Sequence, residues 1–449
     1  MLYNKKNEDN EKHLTGGALC KTLGIIKKCI TFGRAAEGLR ADFQKQFLQL
    51  QREIGFSYVR FHGIFHDDMA VYREDEAGEP AFWFGYVDSL MDFLLSAGLK
   101  PILELGFMPK ALARVPDTVF WWHANGSPPK SEQKWCRLVE ATLRYFCERY
   151  GKEEVRNWYF EVWNEPNLDA FWCGTQAEYF RLYQVTARTV KAVDPRFRVG
   201  GPSVSGADFR DDLRYLDAFI AFCSKEKLPV DFFSGHPYPT YWPLDTGGNE
   251  KMGYLPKSTC QKFIRNMREK IDRSPFSGAE LHLTEWNSSP SPRDLVHDMP
   301  FEAPFILYNI TQNFGVTDSL AYWAFTDIFE ENGPGEYPFH GGFGLINPDG
   351  VKKPSYWAYR FLSLLGDEIL EIAEDHILTK QKENYQLLMW NYCDYTEAFA
   401  KGDRSCLSLL DRDGAFDEKP ACVCKCAAER KLPANGVYAR QKHLGVSQS

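Results

Sequence analysis

Two glutamates, each near the carboxyl end of a short apolar run with an asparagine and an aromatic residue beside it, have the types and spacing to do chemistry. Glu165 ends Trp158-Tyr159-Phe160-Glu161-Val162-Trp163-Asn164-Glu165-Pro166-Asn167, and Glu285 ends Glu280-Leu281-His282-Leu283-Thr284-Glu285-Trp286-Asn287. Strand side chains alternate between faces, so Tyr159, Glu161 and Trp163 are expected on one side and Phe160, Val162 and Asn164 on the other, with Glu165 at the rim where Pro166 stops the strand. Such a carboxyl pair suits glycoside hydrolysis. A retaining glycosidase needs one acid to protonate the leaving oxygen and a second carboxylate, about 5 Å away, to attack the anomeric carbon. In that reading Glu165 is the acid/base, its pKa raised first by a semi-enclosed aromatic site and then by the neighbouring carboxylate. Glu285 stays ionised as nucleophile, and Asn164 hydrogen-bonds the sugar 2-hydroxyl. The competing reading, a glutamate that caps a helix or pairs with a surface lysine, is weakened by the design occurring twice.

The pair is separated by 120 positions (285 − 165), so only a closed fold brings it together. Short apolar runs alternate with longer amphipathic ones between Lys28 and about Leu365, the pattern of repeated βα units. Eight strands are expected, at Cys29 to Gly33, Tyr58 to Gly63, Lys100 to Leu105, Trp158 to Glu165, Arg198 to Ser203, Phe232 to Tyr238, Glu280 to Asn287 and Ser319 to Thr326. Helices are expected between them, for example at Glu132 to Tyr150, Thr175 to Val193 and Thr259 to Asp272. Eight units close into a (β/α)8 TIM barrel whose active site lies at the carboxyl ends of the strands, where both glutamates fall. The division expected is a polar lead-in over 1–27, a catalytic barrel over 28–367, a small truncated β appendage over 368–403 and an irregular cysteine-rich tail over 404–449. The appendage should hold two strands, His376 to Lys380 and Tyr385 to Tyr392, with a poorly packed apolar face around Leu387, Leu388 and Trp390.

At 449 residues, with 44% hydrophobic and 15% aromatic content, the chain can build a large core and a site that stacks on sugar faces. A net charge of −8 gives no electrostatic reason to bind nucleic acid or an anionic membrane. The amino terminus lacks the apolar core of a secretory signal, no apolar run is long enough to span a bilayer, and most of the 12 cysteines are scattered singly, so a cytoplasmic protein with reduced thiols is expected. Cys422, Cys424 and Cys426 lack the spacing and partners of a zinc knuckle, and a disordered or aberrant tail is the preferred reading there. No metal site is assigned, and no His-x-x-x-His pair suggests a metal hydrolase.

These residues carry a resemblance. Asn164-Glu165-Pro166 with Glu285 resembles the clan A glycosidases, and the surrounding sequence is similar to glycoside hydrolase family 39, close to bacterial β-xylosidases. The likeness runs from Cys29 to about Asp403 and includes Gly33-Arg34-Ala35-Ala36-Glu37-Gly38-Leu39, Arg60-Phe61-His62-Gly63, His236-Pro237-Tyr238 and Phe339-His340-Gly341-Gly342-Phe343-Gly344. It implies a barrel, net retention, Glu165 as acid/base, Glu285 as nucleophile and no cofactor. It also implies that His62 lies against the sugar in the first subsite, although a core histidine is an equal reading. His236 and Tyr238, two apart, should project together as substrate-binding residues, with Tyr238 donating to Glu285; Arg60 could be a structural partner for barrel carboxylates. Trp323 is a candidate sugar platform or a core residue. Phe120, with Trp121 and Trp122, would wall the pocket or form a contact between subunits. Glu330 and Glu331 would repel a carboxylated sugar and favour a neutral pentose, unless they are merely solvated.

The expected function is therefore a retaining, exo-acting β-xylosidase that removes xylose from the non-reducing ends of xylo-oligosaccharides. Its partner is a small oligosaccharide, with no nucleic acid and no membrane. The alternatives are another β-glycosidase of the family (an arabinosidase or glucosidase), a carbohydrate-binding pseudoenzyme, or an inactive truncated product. Relatives of this kind carry a β-sandwich that helps them oligomerise; here it would stop after about two strands, which leaves a homo-oligomer open.

Overall fold

The computed structural model describes residue 24 and residues 28–206, 212–242, 252–329, 331–405 and 412–417. Eight parallel strands form a closed barrel: β1 (Cys29–Arg34), β2 (Tyr58–His62), β3 (Lys100–Leu105), β4 (Tyr159–Val162), β5 (Arg198–Ser205), β6 (Phe232–His236), β7 (Glu280–Trp286) and β8 (Ser319–Tyr322), with β8 pairing back onto β1. Each strand is followed by a helix: α1 (Ala41–Glu53), α2 (Gly85–Ser96), α3 (Glu132–Tyr150), α4 (Gln176–Val193), α5 (Arg214–Lys225), α6 (Thr259–Asp272), α7 (Glu302–Thr311) and α8 (Pro354–Leu362). The strands are buried on both faces, as a barrel wall requires. A helix such as α4 starts at the Thr175–Glu178 capping box and buries Tyr179, Leu182, Tyr183, Thr186, Ala187 and Val190 on one face, the spacing that turns an amphipathic stripe onto the barrel. The last barrel helix, α8, was not among those expected. Its run Pro354 to Leu362 is short, and only Pro at its first position marks its start.

The long connection from β8 to α8 is held by a buried ion cluster. Lys353 Nζ lies 2.7 Å from Asp298, 3.1 Å from Asp327 and 2.7 Å from the Gly342 carbonyl, and Asp327 in turn accepts from the Gly344 amide. A Cβ at Gly344 would stand 2.4 Å from the Thr326 backbone, so only glycine lets the two segments approach this closely.

Beyond α8 the chain forms three antiparallel strands rather than the two expected: β9 (Glu368–Ile372), β10 (His376–Gln381) and β11 (Asn384–Met389). The extra strand supplies the neighbour that an isolated hairpin lacks. Nor is the apolar face uniformly exposed. Leu387 is 41% exposed, but Trp390 is 3% exposed and donates to the Glu374 carbonyl at 3.0 Å. Part of the cysteine-rich tail is also ordered against the barrel: Phe416 stacks on Phe301 at 4.6 Å and pairs its backbone with Tyr395. Cys406, Cys422, Cys424 and Cys426 lie outside the described residues.

Candidate active site

The carboxyl ends of β2, β4, β6 and β7 converge on one buried cluster. Past Val162 the chain leaves the strand through left-handed backbone at Trp163 (φ 72°) and Glu165 (φ 42°). That turn reverses the faces expected for Trp163 and Asn164. Trp163 swings outward against Trp172 at 5.1 Å, with its Nε1 donating to the Phe171 carbonyl, whereas Asn164 turns inward to accept from Arg60 at 2.8 Å. Period-two alternation holds only while the backbone is extended, and non-glycine residues keep a left-handed conformation only where their surroundings over-determine it. Here the Ser203 carbonyl accepts the Glu165 amide and the Ser203 hydroxyl donates to the Trp163 carbonyl, which ties the turn to β5.

Glu165 and Glu285 are 6% and 5% exposed, and an oxygen of each lies within 4.8 Å of the other and of a His236 ring nitrogen. Their surroundings differ. Arg60 donates to one oxygen of Glu285 and the Tyr238 hydroxyl to the other at 3.0 Å, with His62 Nε2 3.4 Å away. Glu165 meets His236 Nδ1 at 2.7 Å. Burial and then the charge of Glu285 push the Glu165 pKa well above the usual carboxylate range. Burial also raises Glu285, but Arg60 and His62 oppose it, so a proton shared by the pair resides on Glu165. His236 is bonded at both ring nitrogens and Glu285 at both oxygens, with a guanidinium alongside, so the three groups are engaged by the protein and not arranged as open ligands for an ion.

The structure brings most of the other expected residues to this cluster, in altered settings for some. His62, 3% exposed, contacts Glu104 at 2.6 Å and packs between Phe120, at 6.0 Å, and Trp323, at 4.7 Å. Phe120 stacks on Trp122 at 5.3 Å and so belongs to the wall, whereas Trp121 is 55% exposed. Trp323 is 2% exposed and meets Phe329 edge-on, which makes it a backing for His62 more than an open platform. His236 also differs from expectation: fully enclosed and bonded on both sides, it serves Glu165 and has no free nitrogen for a sugar. Half-buried Glu331 keeps Oε2 buried without a hydrogen-bond partner, and burial and Glu285 raise its pKa well above the ordinary range. Glu330 lies outside the described residues.

Sequence reasoning passed over Glu104, Glu161 and Thr284. Arg60 donates to Glu161 through Nε at 2.7 Å and to Glu104 through an outer nitrogen at 2.8 Å; Glu104 and Glu161 are register partners on β3 and β4. Thr284 joins Glu161, at 2.8 Å, to His236, at 3.0 Å. The available signal was polar residues inside strands that parallel sheets normally make continuously apolar.

Residues 17–393 match the family model described as Glycosyl hydrolases family 39. The chain is similar to a beta-xylosidase of Caldicellulosiruptor saccharolyticus, 44% identical over 78% of this chain and 72% of that protein. It is also similar to one of Geobacillus stearothermophilus, 40% identical over 81% and 73%. Among solved structures, the GH39 enzyme from Xanthomonas axonopodis pv. citri superposes with a TM-score of 0.80 at 38% identity, covering 86% of this chain and 75% of that one.

Proposed function

The chain belongs to glycosyl hydrolase family 39, a retaining clan A family, and from that premise we propose that it is an exo-acting β-xylosidase using Glu165 as acid/base and Glu285 as nucleophile. The observation that carries this reading is the carboxyl pair, with oxygens within 4.8 Å and unequal surroundings. That spacing leaves no room for a water between carboxylate and sugar, as inversion requires, and suits direct attack. Glu165 gives its proton to the glycosidic oxygen while Glu285 attacks the anomeric carbon; the C–O bond to the leaving sugar breaks and a glycosyl ester forms. Glu165, now a carboxylate, takes a proton from water, whose oxygen displaces Glu285 and releases xylose with retained configuration. Asn164, oriented by Arg60, presents its amide to the 2-hydroxyl. Phe120 and His62 line the first subsite, and the unpartnered oxygen of Glu331 is available to a sugar hydroxyl, with Glu330 following β8 in the same acidic segment. A uronate would meet the ionised Glu285 unfavourably, which supports a neutral pentose. Seven free thiols among the described residues, and no described helix long and apolar enough to cross a membrane, support work in the cytoplasm.

Purified protein should release nitrophenol from 4-nitrophenyl β-D-xylopyranoside and xylose from xylobiose, and Glu285→Gln, folded by its melting curve, should do neither. Preference for the arabinoside or glucoside in the same assay would overturn the sugar assignment, and full activity in Glu285→Gln would overturn the nucleophile.

A further inference from the structure

The β-barrel interior holds one continuous hydrogen-bonded path that ends on Glu165. It runs from Arg60 to Glu161, from Glu161 to Thr284, from Thr284 to His236 and from His236 to Glu165, with separations of 2.7, 2.8, 3.0 and 2.7 Å. Every group on it is fully or almost fully enclosed, so no solvent can change a proton's direction.

We propose that Thr284 and Glu161 are positioning residues that fix the tautomer of His236, so that its Nδ1 accepts the proton of Glu165 and stores that residue as the acid. The inference rests on the acid/base role given to Glu165 above. It follows from counting protons. Glu161, ionised beside the guanidinium of Arg60, only accepts, and so takes the single hydroxyl proton of Thr284. The Thr284 oxygen must then accept from His236, which places the ring proton on Nε2. His236 is fully buried near Arg60 and His62, and burial first, then Arg60 and His62, push its pKa well down, so the ring carries one proton only. Nδ1 is therefore bare. At 2.7 Å from Oε1 of Glu165 it needs a hydrogen between the two atoms, and the carboxyl group is the source.

The arrangement has a consequence in each half of the reaction. Before glycosidic cleavage the protonated carboxyl is preferred over the carboxylate, which would face a nitrogen lone pair. After it gives up the proton, the same lone pair makes the carboxylate more basic and ready to take a proton from the incoming water. Other charged or polar groups bear on Glu165: Glu285 on β7, Arg60 on β2 and Glu331 after β8, with Ser205 on β5 as a hydrogen-bond partner; Tyr238 lies just beyond β6. Thr284→Val leaves all of these in place and removes only the hydroxyl.

The test uses the full chain. In wild type labelled with nitrogen-15 in histidine, with the His236 signals identified by their loss in His236→Gln, the imidazole spectrum should show His236 protonated at Nε2 alone from pH 6 to 7. In Thr284→Val the basic limb of kcat/KM for xylobiose should move down by about one pH unit, with activity at pH 7 reduced by up to about tenfold. For 2,4-dinitrophenyl β-xyloside, whose leaving group departs without a proton, kcat/KM should change by less than about twofold, and Thr284→Ser should restore the wild-type profile. An Nδ1-protonated or doubly protonated His236 in the wild type overturns the proposal. So does an equal loss on both substrates with an unmoved basic limb. If Thr284→Val does not fold, the wild-type spectrum and Thr284→Ser still decide. A wild type inactive on every xyloside counts against the proposed function alone, since the nitrogen spectrum needs no turnover.

Discussion

Arg60 is the residue on which the site depends most. One guanidinium, fully buried, donates to Glu104, Glu161, Glu285 and Asn164, and so offsets part of the carboxylate charge of the barrel interior while orienting Glu285, the proposed nucleophile, and Asn164. Removing one partner of a buried ion network leaves charge without compensation, so Arg60→Met should cost about 3–5 kcal/mol of stability in urea unfolding. It should also change the pH profile. Arg60 lowers the pKa of Glu285, and without it that pKa rises; turnover, which needs ionised Glu285, should then fail at higher pH, moving the acid limb of kcat/KM upward. An acid limb that stays in place would show that Arg60 does not set the charge of Glu285. From sequence, Arg60 was readable as a partner for carboxylates, but not for which ones, because those lie 44, 101 and 225 positions away.

Among the elements, β7 and α7 are tied by a second buried carboxyl. Glu302 on α7 is fully enclosed, accepts from the Ser288 hydroxyl just past β7 and accepts from Tyr322 on β8 at 3.2 Å. Burial, the largest influence, pushes its pKa up to about 8. The native state therefore holds a proton that the unfolded chain releases near the ordinary carboxyl value. The stabilisation is fully present below that value and is lost as pH rises through about 8. Glu302→Gln, neutral at every pH, should flatten this dependence. Between pH 5 and 8.5 the wild type should lose on the order of 4 kcal/mol more unfolding free energy than the variant, measured by urea titration at each pH. Parallel slopes would refute it. The elements themselves were largely legible because each barrel strand is an apolar run and each helix carries an apolar stripe. The missed pieces, α8 and β9, are short, and their apolar residues acquire meaning only from what they cover.

On the scale of the whole molecule, the candidate site has no existence outside the closed barrel. Its groups come from β2, β3, β4, β6 and β7 and meet only because β8 pairs back onto β1. Binding to the native state alone raises stability by mass action, so D-xylose at one hundred times its dissociation constant should stabilise the protein by about 2.7 kcal/mol, seen as a higher Tm. D-glucuronate at the same concentration should leave Tm unchanged, because its carboxylate would meet the ionised Glu285, which Arg60 holds in that form. A rise with glucuronate and none with xylose would reverse the sugar assignment.

The sequence by itself determined the repeated βα pattern, the two glutamates at strand ends and the likeness to one family, since all are properties of local order along the chain. It also placed His62, Phe120, Asn164, Tyr238 and Glu331 in segments that the fold brings to one end of the barrel. Tertiary structure decided the rest: that Trp163 and Asn164 exchange faces, that His236 serves Glu165 rather than an open pocket, that Trp323 is enclosed, and that Thr284 and Glu161 stand behind Glu165. Those outcomes depend on left-handed backbone at a strand end and on hydrogen bonds between residues tens to hundreds of positions apart. Neither leaves a mark in the local alternation of apolar and polar residues.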